Sequence, residues 1–470
     1  MKILSVKYNG TNAQTFFNFL GTIIRSGILF ITMPIFTRLL GAEQYGLFSI
    51  YASWLTIFSC MMGLNVKAGL GTGYYKFSDR YYEFRSSTLI EGTAISAVMI
   101  TGVLLTSNIF MKVLGYPFFI ILLLFLESFA QFVIEFANLS WIYEKHAGRN
   151  MVLALSTLLF TSVLSILLLL FWRGTRDHLY FGRIIGTAVP QILVAAILWI
   201  GMFKEKPAGY NAVYWKYSFF FGLPMVFHLL SQQILGQSDK IMMQMFKTNG
   251  IEIGIYSFFY GLVSILNTVL GALNNSWCPF LYDDLKNRDY EQLNKKVKNY
   301  VQIFTILSLG FLMVSREITK LFSNEEYWPG MPVIPILVLV IYFTFIYQFA
   351  VNYEIFNAKP KFVAIGTVVA ALSNILFNIL LIPSFGMYGA AIATLLSYII
   401  LAVMHTVVVN TWKIEKYPLA YQPVWLGLVL VLSGCVLFYV TADFLLIRWT
   451  IGIGLGIHLV VSVYRRKTIF

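Results

Sequence analysis

The chain has 470 residues, 58% of them hydrophobic and only 12% charged. That balance excludes a soluble globular domain and leaves an integral membrane protein. The formal net charge of +13 does not argue for a nucleic-acid partner, because excess Lys and Arg is what cytoplasmic loops of membrane proteins carry.

A spanning helix needs about 20 mostly apolar residues. Fourteen segments meet that length: 16–40, 46–66, 88–110, 117–141, 152–172, 180–203, 217–237, 255–277, 300–322, 331–352, 362–382, 387–409, 423–440 and 445–464. The fold class expected is all-α integral membrane. The first apolar run is too long for a cleavable signal, and no small-residue cleavage pattern follows it. Cys60, Cys278 and Cys435 lie in or beside apolar runs without metal-ligand spacing and are expected as free thiols.

An even number of spans puts both chain ends on one side. With the N-terminus inside, 23 Lys and Arg fall on inside flanks and nine outside, with Arg25 and Arg183 left within segments. The positive-inside rule then predicts cytoplasmic termini. Trp141, Trp172, Trp215, Trp328, Trp412 and Trp449 stand at segment ends, as interfacial anchors do. The two longest inside connections are 67–87 and 282–299. The first mixes aromatic residues with both signs of charge, which reads either as an amphipathic surface segment or as a solvated loop. The second is charged throughout and reads as a solvated helix.

The chain repeats itself. Gly46-Leu-Phe-Ser49 opens the second segment and Gly254-Ile-Tyr-Ser257 the eighth, 208 residues apart. Gly182-Arg-Ile-Ile-Gly-Thr187 opens the sixth and Gly389-Ala-Ala-Ile-Ala-Thr394 the twelfth, 207 apart. Six spans separate the copies, so both run the same way through the membrane. The organisation predicted is two parallel six-helix lobes, 1–205 and 206–416, with a helix pair at 417–470. Transporters built on parallel repeats hold substrate between lobes and expose it alternately.

Polar residues inside the spans are the candidate machinery, because intramembrane charge is costly and usually functional. Arg25 sits mid-span and cannot shed its proton. It reads as a fixed cation for an anionic substrate or as a structural ion pair. Shifted by 208 it falls on Gln233, so the first and seventh segments correspond. Asn18 and Arg25 in one, and His228, Gln232, Gln233 and Gln237 in the other, are candidate cavity residues. In the fourth segment Glu127, Gln131 and Glu135 recur every fourth residue, with Asn138 one turn on, which places them on one helix face. They are either a proton-titrating face or carboxylates paired with nearby Lys or Arg. Glu91 lies nearer the cytoplasmic surface. Asn374 and Asn378, with Thr394, could hold a sodium ion or hydrogen-bond between helices. Asp239-Lys240 reads as a gate pair or an interfacial salt bridge. No Walker, HExxH or GxSxG sequence is present, so active transport would draw on an ion gradient or on the membrane potential.

Three stretches carry a family resemblance: Pro34-Ile-Phe-Thr-Arg-Leu-Leu-Gly-Ala-Glu-Gln-Tyr-Gly-Leu-Phe-Ser49, Phe221-Gly-Leu-Pro-Met-Val-Phe-His228 with Gln237-Ser-Asp-Lys240, and Ile382-Pro-Ser-Phe-Gly-Met-Tyr-Gly-Ala-Ala-Ile-Ala-Thr394. They resemble the polysaccharide and O-antigen (Wzx-type) flippases of the multidrug/oligosaccharidyl-lipid/polysaccharide (MOP) exporter superfamily. The resemblance implies two lobes about a cationic cavity, and transfer of an undecaprenyl-diphosphate-linked oligosaccharide to the outer leaflet of the bacterial inner membrane. Fourteen spans are similar to the lipid II flippases of that superfamily, whose last helix pair forms a groove for the lipid tail. By that resemblance Arg25 engages the diphosphate. A sodium site is implied at Asp239, Asn374, Asn378 and Thr394, with an amide at Asn378 where a second carboxylate would strengthen it.

The reading that follows is a secondary transporter, not an enzyme, for O-antigen, capsule or another surface polysaccharide. It needs no cofactor and couples to an H+ or Na+ gradient, with Glu127 or Glu135 as proton-coupling candidates. Its partners would be the lipid-linked oligosaccharide, membrane lipid, and polymerase and chain-length proteins. The competing readings are an ion-coupled small-molecule antiporter on the same fold, a membrane-embedded glycan polymerase or ligase, and a scaffold for glycan assembly.

Overall fold

In hydrocarbon each backbone N–H and C=O must be paired within the protein, so long apolar runs fold as helices. The computed structural model describes residues 11–172, 174–411 and 417–466, and of these the side chains of 11–23, 25, 26, 29 and 147 fall outside the description. Among the described residues the chain is helical throughout, with no strand. In chain order the helices are α1 (Thr11–Met61), α2 (Gly69–Lys76), α3 (Tyr81–Leu105), α4 (Ser107–Leu114), α5 (Phe118–Tyr143), α6 (Ala147–Leu170) and α7 (Leu179–Glu205). They continue as α8 (Ala212–Met245), α9 (Gly250–Asn287), α10 (Tyr290–Phe322), α11 (Ile334–Phe356), α12 (Pro360–Thr411), α13 (Gln422–Val440) and α14 (Leu445–Arg466).

Twelve helical stretches are long and apolar enough to cross a membrane, which makes this a multi-pass membrane protein. The fourteen predicted segments fall on these twelve. The first two share α1, and the eleventh and twelfth share the 52-residue α12. Each long helix is two helices joined at a glycine with positive φ: Gly41 (φ 71°) and Gly386 (φ 52°). At such a residue the chain redirects without a loop, which explains why sequence spacing separates what the backbone runs together.

The chain forms two compact units, Met1–Gln237 and Ser238–Phe470, with the division inside α8. In the first unit α1 packs on α5, α6 and α7. In the second α11 packs on α12 and α9, and α10 on α13 and α14.

A short 3-10 turn, Met62–Ala68, joins α1 to α2. Gly63, Leu64 and Asn65 all have positive φ (60°, 43° and 55°). Left-handed backbone costs a non-glycine residue roughly 1–2 kcal/mol, so tertiary packing holds Leu64 and Asn65 there. The Asn65 carbonyl oxygen lies where a Cβ on Gly222 of α8 would meet it at 2.6 Å. Only glycine lets α8 approach that turn. The stretch 67–87 is amphipathic: Leu70, Gly73, Tyr81 and Phe84 are buried while Tyr75, Lys76, Asp79 and Arg80 are exposed. The stretch 282–299 is the end of α9 and the start of α10, clasped by a Lys296–Asp284 pair at 2.7 Å.

Ion pairs anchor the first unit near one set of helix ends. Arg85 is fully buried and reaches Glu144 (3.0 Å), Glu205 (2.5 Å) and the Met202 carbonyl (3.1 Å), tying α3 to α5 and α7.

Candidate functional site

In the second unit a buried carboxylate accepts hydrogen bonds from neutral donors on two helices, α9 and α12. α8 supplies Asp239, 2% exposed. Tyr256 of α9 donates its hydroxyl to Asp239 Oδ2 at 2.5 Å, and Thr394 donates to the same oxygen at 2.6 Å. Asn378 Nδ2 donates to Oδ1 at 2.9 Å and Asn374 Nδ2 to Oδ1 at 3.3 Å. Ser238 Oγ closes the group by donating to Asn374 Oδ1 at 2.5 Å. Asn374 and Asn378 are one helical turn apart on the first half of α12, so both reach the same point. Thr394 arrives from the second half of α12, brought back by the bend at Gly386.

These donors satisfy the carboxylate while leaving Asn378 Oδ1 buried without a hydrogen-bond partner among the described residues. A half-turn of either amide would present oxygen in place of NH2. Asp239, the two amides and the Thr394 hydroxyl would then form an oxygen set of the kind that suits a hard cation. The four residues singled out in the sequence for this role, Asp239, Asn374, Asn378 and Thr394, are thus in one cluster. Tyr256 and Ser238 were not singled out. Tyr256 lies within the repeat motif but reads there as one more aromatic core residue.

The first unit has its own buried carboxylate. Glu127 of α5 is 0% exposed. It accepts from Tyr51 OH at 2.7 Å and from Gln191 Nε2 at 2.7 Å, on α1 and α7. Thr187 lies against it. Arg183, one turn before Thr187, stacks 3.5 Å over the Phe36 ring and 4.9 Å over Phe48, and its Nη1 has no hydrogen-bond partner among the described residues. Thr187 and Thr394 are the equivalent threonines of the sequence repeat, and each borders the buried carboxylate of its own unit.

Other expected residues divide. Glu135 forms an ion pair with Lys67 and its side chain is 55% exposed, the structural alternative for that face. Glu91 accepts a hydrogen bond from buried Ser218. His228 is half-buried with Nδ1 unpartnered, and Gln232 is exposed. His228, Gln232 and Gln233 belong to the first unit and the Asp239 cluster to the second. The side chains of Arg25 and Asn18 lie outside the described residues.

A buried pair escaped the sequence reading: His405 Nδ1 and Glu354 Oε1 are 2.8 Å apart, with both side chains at most 1% exposed. Glu354 lies beyond the expected end of its segment at residue 352, so it read as an end residue. The helix runs on to Phe356.

The profile of the family described as "Polysaccharide biosynthesis protein" matches residues 12–283. A Haemophilus influenzae protein described as "Lsg locus putative protein 1" is 21% identical over 342 residues, 71% of this chain and 82% of that protein. The "Probable low-salt glycan biosynthesis flippase Agl15" of Haloferax volcanii is 22% identical over 423 residues, 85% of this chain and 83% of its own. Among solved structures, the lipid II flippase MurJ in an inward closed conformation superposes with a TM-score of 0.67 at 17% identity, covering 93% of this chain and 99% of its own. An inward-facing multidrug resistance MATE family transporter of the MOP superfamily superposes at 0.59 and 13% identity, covering 88% and 98%. At these identities the solved structures share the fold.

Proposed function

Because this chain belongs to the polysaccharide biosynthesis protein family, we propose that it is a flippase for a lipid-linked oligosaccharide destined for a cell-surface polysaccharide. The substrate moves from the inner to the outer leaflet of a bacterial cytoplasmic membrane by alternating exposure of a binding site. The glycan flippase relative and the MurJ-like fold support this reading.

The observation that carries it is Asp239. A carboxylate buried among membrane-spanning helices, held by four neutral donors, is expensive to keep for structure alone. Asp239 with Asn374, Asn378 and Thr394 is proposed as the site where Na+ or H+ couples to the cycle, and Glu127 as a second coupling acid. Arg25 is proposed as the cation that engages the diphosphate through charge-assisted hydrogen bonds.

The test is transbilayer movement of a labelled prenyl-diphosphate oligosaccharide in proteoliposomes, for wild type, Arg25→Ala and Asp239→Asn. Movement by wild type that both variants lose supports the assignment. Movement that survives Arg25→Ala at normal protein levels removes that residue's role. No movement under either ion gradient, with any lipid-linked glycan supplied, overturns the flippase reading.

A further inference from the structure

In the first unit a cavity of about 430 Å³ opens between the end of α2 and the start of α8, lined by Lys76, Phe77, Ala212, Val213, Lys216 and Tyr217. No carboxylate lines it. Lys76 and Lys216 are exposed, and among the described residues neither has an acidic partner at salt-bridge distance. Lys76 is held by rings: its ammonium lies 4.3 Å from the Tyr217 centroid and 5.6 Å from that of Phe77. A cation–π contact positions a charge without neutralising it. Tyr217 is itself fixed by donating to Thr72 Oγ1 at 2.6 Å.

The cavity also lies at the ends of stretches long and apolar enough to span a membrane. Lys76 ends one membrane-length stretch, and Ala212 begins another. At the start of α8 the Val213 and Tyr214 N–H groups are capped by Asn211 Oδ1 at 3.0 and 3.2 Å, so the two lysines supply the charge. Two ammonium groups without an acidic partner among the described residues thus meet the Tyr217 and Phe77 rings where membrane-length stretches end, the level of lipid head groups. By charge distribution this is the Lys- and Arg-rich side, which faces the anionic leaflet.

We propose that this cavity is a binding site for the phosphate of an anionic phospholipid head group, held by Lys76 and Lys216. The inference needs that the chain spans a membrane with this side toward an anionic leaflet, and it is independent of the transport cycle.

Native mass spectrometry of the full chain released from nanodiscs tests it, with phosphatidylglycerol and phosphatidylcholine as probes. The variants are Lys76→Gln/Lys216→Gln and, as a charge-matched control, Lys295→Gln/Lys298→Gln, which removes two exposed lysines of α10. The expected result is a loss of roughly tenfold in phosphatidylglycerol affinity in the first variant only, with phosphatidylcholine unchanged. Equal losses in both variants would reduce the site to diffuse surface charge and overturn the proposal, as would no loss in either. Tenfold preference of the wild-type site for a prenyl diphosphate over phosphatidylglycerol would overturn the assignment of its occupant. All four side chains are exposed, so misfolding does not confound the comparison.

Discussion

Glu252 Oε1 accepts the backbone N–H of Met387 at 2.8 Å, and through it α9 holds the start of the second half of α12. The first unit makes the same bond: Gln44 Oε1 accepts the backbone N–H of Tyr180 at 3.3 Å. Gln44 and Glu252 are 208 residues apart, and Tyr180 and Met387 are 207 apart. These are the offsets of the sequence repeat. The repeat therefore conserves a side-chain-to-backbone contact between two helix starts within each unit, and an acceptor oxygen is what both positions share.

Glu252→Gln should accordingly be tolerated, because the amide oxygen keeps the acceptor. Glu252→Ala should cost about 1–3 kcal/mol by leaving a buried N–H unpaired. Thermal unfolding in detergent distinguishes them, and equal melting temperatures for the two variants would remove the contact from the stability argument.

Gly386→Ala should destabilise by about 1–3 kcal/mol, the range for backbone held in sparsely populated regions. Its φ is 52°, and a Cβ would also stand 2.2 Å from Glu252 Oε1. Measured against Glu252→Ala, which already lacks the Met387 contact, the double variant Gly386→Ala/Glu252→Ala should show the backbone part alone. Melting curves of the single and double variants measure each share.

Asn378→Asp should make the Asp239 cluster depend on a cation. A second carboxylate beside Asp239 is repulsive unless an ion or proton lies between them. Sodium should raise the melting temperature of this variant more than potassium at equal ionic strength, and more than it does for wild type. Identical responses to the two salts would remove the amide oxygens from any ion site.

Glu127→Gln keeps one acceptor oxygen for Tyr51 or Gln191, so folding should survive. Glu127→Ala strands both donors and should cost about 1–3 kcal/mol. If Glu127 couples to protons, transport by wild type varies with pH while Glu127→Gln transports at a pH-independent rate. A glutamine variant that follows the wild-type pH profile would return Glu127 to a purely structural role.

Arg85→Met should cost about 3–5 kcal/mol, because it leaves Glu144 buried without its cation. Glu205, with 54% of its side chain exposed, contributes little to that penalty. Adding Glu144→Leu should restore much of the loss, measured by chemical unfolding in micelles.

The sequence by itself determined the class of molecule, the spans and the repeat, because these depend on local quantities: hydrophobic length, charge asymmetry and spacing. It also singled out Asp239, Asn374, Asn378 and Thr394, since polar residues within apolar helices stand out. What only the tertiary structure decided is which of them meet. Asn374 and Thr394 are 20 residues apart, and the bend at Gly386 turns that separation into a hydrogen bond of 3.1 Å. Glu127 and Glu135 share a helix face by spacing, yet one is buried under Tyr51 and Gln191 while the other pairs with Lys67. The difference is set by the neighbouring helices. Tyr256, Tyr51 and Gln191 were illegible as site residues for the same reason: a hydroxyl or amide in a membrane helix becomes part of a site only when packing aims it at a charge.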